Sequence, residues 1–382
     1  VKKTNKKMLR IEDLSFWEKS VYFEKIDFLI VGSGIVGMSA ALFLRKKYTD
    51  ANIVIIERGY LPTGASSKNA GFTCFGSPTE LYDDLKNMQE NEVWETFSNR
   101  YNGLKCLFEL IPQKAINYVS CKSWDLIESG VKNEIDADFI RYINIKAKEI
   151  TGIDKVYFED QNAANRFGFD NIQTSYCNHL EGAINTGMLI QAMHKKTIEA
   201  NIRVVFGVEA LSMNSNLGGV ELQTNQGLIK AANCIIATNG FANQWIEDDI
   251  QPARAQVLVT NEIENLKVNG TFHYQKGYYY FRNIGNRILL GGGRNLDFKG
   301  ETTESFDTTP KIQQKLEELM RSTIIPNQNF KIEYSWSGIM GVGDTKSPIL
   351  KMLNKNTAIG VRLGGMGVAL GSQVGKSLAN YF

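Results

Sequence analysis

Three glycines near the start of the chain have the spacing of a turn that binds dinucleotides. Gly32, Gly34 and Gly37 fit the pattern G-x-G-x-x-G, and they follow an apolar run at residues 28–31 that is typical of a buried parallel strand. In such a turn the first glycine permits a tight bend, and the second lets a pyrophosphate approach the backbone. The third lets the next helix pack closely against the strand. The spacing therefore predicts a site for a phosphate-containing cofactor.

The residues after this turn supply the rest of the context that a dinucleotide site needs. Residues 35–47 predict a helix whose amino end faces the phosphates, where free N–H groups and the helix dipole favour negative charge. Residues 52–56 predict a second strand, which Glu57 ends. An acid at this distance from the turn accepts hydrogen bonds from a ribose hydroxyl and argues against a 2′-phosphate. A glycine-rich turn without a ligand is the alternative interpretation.

Length and composition exclude some classes of protein. The 382 residues are more than one hydrophobic core usually holds, so we expect two interleaved domains. The net charge of +2 provides no general attraction to nucleic acid. The first ten residues include five basic ones. We interpret them as a solvated tail, with contact to a membrane surface or a polyanion as the alternative.

Cysteines and histidines are few and scattered, which argues against a metal site. None of the five cysteines forms a C-x-x-C pair, and His179, His194 and His273 are far apart in the sequence. Scattered cysteines in odd number indicate reduced thiols. We see no signal peptide and no apolar stretch of the ~18 residues that a membrane span needs. We therefore expect a soluble, cytoplasmic protein without a metal.

A second glycine-rich turn near the end of the chain distinguishes a nicotinamide from a flavin cofactor. Residues 364–367 read GGMG and precede the expected last helix. A cofactor that lies on one Rossmann turn does not need a second turn, whereas FAD is extended and carries at its far end a ring with electronegative edge atoms. A helix amino end aimed at that edge stabilises negative charge on the reduced ring. We therefore expect FAD, with tight packing of a turn that binds nothing as the alternative.

Several motifs spread over nearly the whole chain share a pattern: IVGSGIVGMSAAL, the GASSKNAG loop, GAINTGMLIQAM, CIIATNG, the strands YYYFR and GNRILLGGG, and GGMGVALGSQVG. Together they resemble the D-amino-acid oxidase-like family of FAD-dependent oxidoreductases. The resemblance implies a mixed α/β fold in which a Rossmann-type FAD/NAD(P)-binding domain is interleaved with a substrate domain built on an antiparallel sheet. The expected FAD-binding domain comprises residues 1–85, 181–250 and 325–382, and the expected substrate domain comprises residues 86–180 and 251–324.

The resemblance also assigns residues to the cofactor. It implies that the first turn holds the pyrophosphate, that the GASSKNAG loop passes the phosphates and the ribityl chain, and that the last turn faces the pyrimidine edge of the flavin. The cofactor-binding residues that it implies are Gly32, Ser33, Gly34, Ile35, Val36, Gly37, Glu57, Arg58, Ser66, Ser67, Lys68, Asn69, Ala70, Gly71, Ala210, Thr238, Asn239, Gly240, Gly364, Gly365, Met366, Gly367 and Val368.

The chain departs from the family where related enzymes hold a substrate carboxylate. The turn at residues 336–340 has Met340 in place of an arginine, and Ala369 matches a lysine of the last turn. Leu289 stands in place of a lysine that speeds the reaction of the flavin with oxygen. No cysteine lies within residues 336–343 to tether the flavin. We therefore expect non-covalent FAD, a substrate other than a plain α-amino acid, and either O2 or another carrier as the electron acceptor.

Five residues are candidates to contact the substrate. Side chains alternate along a strand, so Tyr278, Tyr280 and Arg282 share one face, and Tyr278 matches a substrate-side tyrosine of the family. Arg294 falls where the family places a substrate-facing side chain, and Arg362 precedes the last turn. We expect at least one of these arginines to hold an anionic or polar group. Sheet packing for the tyrosines, and ion pairs or loop hydrogen bonds for the arginines, are the alternatives.

The expected function is oxidation of the C–N bond of an amine or an N-substituted amino acid, by hydride transfer to the flavin. The expected partners are a small-molecule amine and an electron acceptor, with no nucleic acid and no membrane span. Two alternatives stay open. One is a tRNA-modification activity of the same family, which would need a basic face. The other is a flavin-binding assembly protein without turnover.

Overall fold

The computed structural model describes residues 10–216 and 218–382, so most of the basic tail lies outside the described residues. The helices are α1 (Phe16–Tyr22), α2 (Ile35–Lys47), α3 (Ala65–Lys68), α4 (Pro78–Asn87), α5 (Glu90–Leu110), α6 (Ala137–Thr151), α7 (Ala163–Phe167), α8 (Thr186–Glu199), α9 (Pro310–Leu319) and α10 (Gly367–Asn380). The strands are β1 (Ile26–Val31), β2 (Ile53–Glu57), β3 (Phe72–Thr73), β4 (Ser123–Glu128), β5 (Tyr157–Glu159), β6 (Ile172–Asn178), β7 (Gly182–Ala183), β8 (Arg203–Phe206), β9 (Ala210–Asn216), β10 (Gly219–Thr224), β11 (Gly227–Ile236), β12 (Gln251–Thr260), β13 (Thr271–Tyr274), β14 (Tyr279–Ile284), β15 (Arg287–Gly292), β16 (Ile332–Val342), β17 (Ile349–Asn354) and β18 (Thr357–Val361).

The first sheet is the nucleotide-binding sheet that the sequence predicts. Its parallel strands follow the order β18-β11-β1-β2-β8, with β17 antiparallel at one edge and the β9–β10 hairpin joined to β11. The central register pairs Leu29 with Val54 and Cys234, and all three side chains are fully buried. Apolar residues on both faces of a strand suit a parallel sheet that is covered on both sides. The prediction of a mixed α/β fold with a Rossmann-type parallel sheet is confirmed.

Close helix packing fixes the amino end of α10. A Cβ atom at Gly371 would lie 2.7 Å from Ile35 Cγ2, so α10 approaches α2 at a distance that only glycine permits. On the other side, a Cβ atom at Gly103 of α5 would lie 1.9 Å from the carbonyl oxygen of Ala369. The first turn of α10 is therefore held between α2, which begins at the dinucleotide turn, and α5.

The second sheet has the strand order β16-β12-β15-β14-β13-β4-β6-β5, and only its β13–β4 pair is parallel. One face carries an aromatic core in which the Phe272 ring stacks on the rings of Trp124 and Phe281, and this core packs against α7 and α9. Because side chains alternate, the neighbours His273 and Tyr280 point to the opposite face, which lines a cavity. That face is the one the site uses.

The position of β16 corrects one domain boundary. The sequence assigns residues 325–382 to the FAD-binding domain. In the structure, however, β16 pairs with the whole length of β12, and the pairing runs from Gln251 opposite Val342 to Thr260 opposite Ile332. The strand therefore belongs to the second sheet. Among the described residues, no helix is both long enough and apolar enough to cross a membrane.

Candidate active site

An elongated cavity of about 770 Å³ runs between the first sheet and the second. Its wall includes the dinucleotide turn after β1, the loop that contains α3, the start of α10, and the inner face of β12–β15. This volume lies in the upper part of the range for cofactor and ligand sites. The cavity therefore has room for an extended cofactor and a small molecule beside it.

The dinucleotide turn has the backbone shape that its glycines predict. Gly32 adopts a φ of +104°, which other residues rarely adopt, and a Cβ atom at Gly34 would lie 2.8 Å from Ser66 Oγ. Glu57 Oε2 accepts hydrogen bonds from the N–H of Ser33 at 3.1 Å and from its hydroxyl at 2.8 Å, and Oε1 accepts one from Gly59 N–H at 3.1 Å. Glu57 thus holds the turn in shape while it lines the cavity.

The loop that contains α3 is held by its own side chains and by the second sheet. Asn69 Nδ2 donates to the carbonyl oxygens of Ala65 and Ser66, and Asn69 Oδ1 accepts from Gly71 N–H at 2.9 Å. The indole N–H of Trp336, on β16, donates to Lys68 O at 2.9 Å. These bonds fix the shape of the loop and hold its backbone against the second sheet.

The far end of the cavity is formed by the last glycine turn. Gly364 has a φ of +57°, and α10 begins three residues later with no side-chain cap on its free N–H groups. Thr238 lines the cavity beside the dinucleotide turn, because a Cβ atom at Gly32 would lie 3.8 Å from Thr238 N, and its buried hydroxyl has no hydrogen-bond partner among the described residues. Open helix N–H groups and an unpaired hydroxyl suit a polar, anionic ligand, so the residues fit a dinucleotide that spans both turns.

All but four of the residues predicted to bind the cofactor line this cavity. They are Gly32, Gly34, Ile35, Val36, Glu57, Arg58, Ser66, Lys68, Asn69, Ala70, Gly71, Ala210, Thr238, Asn239, Gly364, Gly365, Met366, Gly367 and Val368.

The other four lie behind the wall, for identifiable reasons. Ser33 is turned to Glu57, and the hydroxyl of Ser67 donates to Pro62 O at 2.6 Å. Gly37 packs on the backbone of the dinucleotide turn, and Gly240 packs on β16. These four residues support the ones that line the cavity, and their contact with the cofactor stays a prediction.

A sequence profile of the family described as FAD dependent oxidoreductase matches residues 27–381, which include every part of this wall. The chain belongs to that family. It is an oxidoreductase, and its cofactor is FAD. The resemblance stated from the sequence motifs is confirmed.

Individual proteins agree with this assignment at low sequence identity. The probable oxidoreductase OrdL of Haemophilus influenzae is 20% identical, in an alignment that covers 93% of this chain and 82% of the relative. The sarcosine oxidase subunit beta of Rhizobium meliloti is 21% identical over 85% of this chain and 76% of the relative. The crystal structure of glycine oxidase from Bacillus cereus ATCC 14579 has a TM-score of 0.73 at 15% identity, covering 93% of this chain and 94% of that chain.

Two neutral polar side chains lie at the centre of the inner face of the second sheet. His273 and Tyr280 are directly opposed in the β13–β14 pair, and both line the cavity. Gly291 leaves room for the Tyr280 ring, because a Cβ atom there would lie 2.5 Å from Tyr280 Cε2. Burial raises the pKa of Tyr280 to about 12 and lowers the pKa of His273 to about 4. Both groups are therefore uncharged at neutral pH, and His273 Nε2 has no partner among the described residues.

Tyr278 and Arg294 also line the cavity. Tyr278 lies just before β14 rather than on it, and its side chain is 46% exposed. The guanidinium of Arg294 lies 5.0 Å from the centre of the Phe298 ring, and its Nε atom is buried with no hydrogen-bond partner within the described part of the chain. Burial lowers the pKa of Arg294, but an arginine remains charged. Arg294 thus places a charged guanidinium group at the cavity wall.

The structure gives Arg282 a role that differs from the predicted one. It is not part of the cavity wall, and Nη1 donates to the carbonyl oxygens of Ile184 at 2.8 Å, Gly71 at 3.0 Å and Ala70 at 3.4 Å. Its Nε donates to Asn283 O at 3.2 Å. The expectation that Arg282 shares a substrate-facing surface with Tyr278 is therefore corrected. Arg282 fastens the cofactor loop to the sheet.

Arg362 lines the cavity, but its donors are already occupied. Nη1 donates to Asp249, Nη2 donates to Thr345 Oγ1 at 2.8 Å, and both Nε and Nη2 donate to Ser347 O. The side chain therefore ties the loop between β16 and β17 to residue 249. An anion would have to displace these bonds, which makes Arg362 a weaker candidate for substrate contact than Arg294.

Several residues of the wall were not among the candidates predicted from the sequence. Arg100 on α5, Glu80 on α4, Lys346 after β16, and Cys74 line the same cavity, as does His273. The helical residues look like ordinary polar positions on amphipathic helices, and only the approach of α5 to α10 brings them to the cavity. For His273 a signal did exist, since the hairpin pattern around residues 275–278 places it opposite Tyr280.

Proposed function

We propose that the protein oxidises the C–N bond of a small amine or an N-substituted amino acid. The observation that carries the proposal is the continuity of the cavity, which runs from the dinucleotide turn to the polar inner face of the second sheet. A substrate beneath Tyr280 and His273 would lie at the flavin end of the cofactor. Two of the similar proteins, a sarcosine oxidase subunit and a glycine oxidase, support an amino compound as the substrate class.

The chemistry assigned to the site balances as a two-electron oxidation. The carbon beside the nitrogen loses a hydrogen with its electron pair, the nitrogen lone pair forms the C=N bond, and water later hydrolyses the imine to a carbonyl compound and a free amine. FAD, when bound, supplies the two-electron acceptor. O2 or another carrier then takes up these electrons.

The side chains over the flavin would favour the reactive form of the amine. A protonated amine has no lone pair with which to form the C=N bond, so the site must hold the neutral form. Burial disfavours a charged amine. Neutral Tyr280 and His273 can exchange hydrogen bonds with an N–H group, and at neutral pH neither adds a positive or negative charge to the site. Arg294, a cation in the cavity wall, is the candidate contact for an anionic part of the substrate.

Anaerobic reduction of the bound flavin tests the proposal. The FAD-loaded protein is mixed with a panel of N-methyl amino acids and secondary amines, and bleaching of the flavin absorbance is followed. The matched control is the 2-hydroxy acid that corresponds to each amino compound, which tests C–O oxidation with the same carbon skeleton. We expect bleaching by at least one amine and none by its hydroxy analogue. Bleaching by hydroxy acids alone, or by no compound, would refute the assigned reaction.

A further inference from the structure

The first helix carries large apolar side chains on the side that faces away from the protein. In α1, Phe16, Trp17 and Val21 are 71%, 75% and 51% exposed, and the Phe16 and Trp17 rings pack edge to face on each other. At 3.6 residues per turn, the three side chains lie within an arc of about 140° around the helix. Single exposed apolar residues are ordinary, but a contiguous apolar face marks a contact site.

The other side of this segment is fixed to the protein, so the apolar face is held outward. Phe23 packs on the core of the first sheet. The N–H of Ile11 donates to Gln226 O at 2.8 Å, and Asn52 Nδ2 donates to Glu24 O at 3.1 Å. These bonds attach the segment at the amino ends of β1, β2 and β11. The apolar face therefore lies at the opposite end of these strands from the dinucleotide turn.

The acidic residues beside α1 are engaged within their own segment. Glu18 Oε2 accepts the N–H of Ser15 at 2.8 Å, and Ser15 Oγ accepts the N–H of Glu18 at 3.3 Å, which is a reciprocal helix cap. Asp13 Oδ2 accepts the N–H of Arg10 at 3.1 Å, and Glu12 pairs with the Arg10 guanidinium at 3.7 Å. Glu18 also lies about 120° around the helix from the centre of the apolar face. The apolar face is therefore free of carboxylates.

The sequence next to this face is strongly basic. The first ten residues contain five basic side chains and no acid, namely Lys2, Lys3, Lys6, Lys7 and Arg10. The first 25 residues contain seven basic and four acidic residues, whereas the whole chain has a net charge of only +2. The remainder of the chain is therefore slightly acidic, and the positive charge is concentrated beside the apolar face.

Aromatic side chains beside a run of lysines suit an anionic lipid surface better than the other partners. Tryptophan and phenylalanine favour the boundary between lipid headgroups and acyl chains, and lysines are attracted to anionic headgroups. A nucleic acid would engage the lysines but leave Phe16 and Val21 without an apolar partner. A second copy of this chain, docked through the same face, would bring two basic tails together, and these repel each other.

We propose that α1 and the basic residues before it bind the surface of an anionic phospholipid bilayer. Phe16, Trp17 and Val21 enter the headgroup region, and the basic residues supply the electrostatic attraction. Two weak signals of this kind together give stable peripheral binding where one alone does not. The contact is separate from the FAD cavity and does not depend on the proposed oxidation.

The first experiment measures binding of the FAD-loaded protein to vesicles by flotation. The vesicles are phosphatidylcholine alone, or phosphatidylcholine with about a third of phosphatidylserine. We expect binding to the anionic vesicles to be at least about tenfold tighter, since each lysine near such a surface is worth about fivefold. High salt should weaken it by screening. Equal binding to both kinds of vesicle, or binding to neither, would overturn the proposal.

The double variant Phe16→Ser/Trp17→Ser tests the apolar face. Loss of two buried aromatic contacts should weaken binding to the anionic vesicles about ten- to a hundredfold, while FAD occupancy and the melting temperature stay at the wild-type values. The matched control is Ile145→Ser/Tyr334→Ser, which removes side chains that are 61% and 58% exposed on other elements, and it should bind like wild type. Wild-type binding by the α1 variant would overturn the assignment.

A second variant tests the charge. Replacement of the four lysines at positions 2, 3, 6 and 7 by glutamine should abolish the preference for anionic vesicles without changing the melting temperature. If that variant keeps the full preference, the basic residues take no part and the proposal is wrong.

Fluorescence of Trp17 locates the contact. Of the five tryptophans, Trp17 is mostly exposed and the others are buried or half-buried. Anionic vesicles with brominated acyl chains should quench the wild-type protein, whereas Trp17→Phe should bind but lose most of the quenching. Quenching that persists in Trp17→Phe would place the contact elsewhere. A doubled particle mass without vesicles that Phe16→Ser/Trp17→Ser abolishes, or binding to RNA in place of vesicles, would overturn the lipid assignment.

Discussion

Replacement of Arg282 should loosen the cofactor loop without changing how the substrate saturates the enzyme. The guanidinium bridges three carbonyl oxygens, those of Ile184, Gly71 and Ala70, and so joins the loop after α3 to the segment between β7 and α8. Arg282→Met keeps much of the aliphatic length of the side chain but removes every donor. The carbonyl oxygens of residues 70, 71 and 184 would then lose the hydrogen bonds that the guanidinium donates to them.

The magnitude follows from the two shorter bonds, at 2.8 Å and 3.0 Å. A hydrogen bond from a charged donor contributes about 1.5–3 kcal/mol, and part of the loss is offset because a buried cation is removed. Burial lowers the pKa of Arg282, which indicates that this offset is real. We expect a net loss of about 2–4 kcal/mol. With an unfolding entropy of about 2.1 cal/mol/K per residue, the melting temperature should fall by roughly 2–5 °C.

The assay compares three quantities in Arg282→Met and in wild type: the melting temperature, the Kd of FAD, and the KM of any amine that bleaches the flavin. We expect the melting temperature to fall and FAD to bind about tenfold more weakly or worse, which corresponds to about 1.4 kcal/mol. The KM at saturating FAD should stay within about twofold of wild type. Arg141→Met, which removes an exposed ion pair with Asp138, is the control and should change none of the three. A large rise in KM with normal stability and FAD affinity would refute the reasoning and return Arg282 to the substrate site.

Three other predictions concern the cofactor and the buried acids. FAD should be released by acid or heat, since no cysteine lies within residues 336–343; fluorescence that stays with the denatured polypeptide would contradict this. Gly34→Val should abolish FAD binding, because a Cβ atom would already lie 2.8 Å from Ser66 Oγ; a folded variant with full FAD occupancy would rule out the assigned turn. Glu181 accepts the N–H groups of Phe75 and Gly76, and burial raises its pKa to about 7 from a usual value of 4.5. The stability that the protonated Glu181 contributes is therefore full at low pH and is lost as the pH rises through about 7. The free energy of unfolding of Glu181→Gln, measured in urea, should thus increase relative to that of wild type between about pH 5 and pH 8. A difference between the two proteins that stays constant with pH would show that Glu181 does not titrate in this range.

Local sequence patterns were sufficient for the elements that bind the cofactor. The helix predicted at residues 35–47 is α2 with the same limits, and the predicted turn and acid lie where a short-range motif requires them. The boundary at residue 325 was wrong for a physical reason. β16 precedes the last nucleotide-binding segment in the chain, but its hydrogen bonds go to β12, about eighty residues earlier, and no periodicity within either strand records that pairing.

The substrate side was harder to predict because it depends on where the ends of long side chains reach. Strand alternation correctly indicates a face for Tyr280, but it does not reveal that the Arg282 guanidinium turns to three backbone carbonyls. Arg100 lies on a helix whose sequence resembles any amphipathic surface helix. It reaches the cavity only because Gly103 allows α5 to touch α10, and that contact joins residues more than 260 positions apart.

The proximity of α5 to α10 connects the two halves of the site. The first turn of α10 forms the far end of the FAD cavity, and the same turn rests on Gly103, one helical turn from Arg100. A Cβ atom at residue 103 would lie 1.9 Å from the carbonyl oxygen of Ala369, so any side chain there would push α5 and the first turn of α10 apart. The packing at Gly103 therefore couples the helical wall of the cavity, where Arg100 pairs with Glu80, to the glycine turn that is predicted to face the flavin.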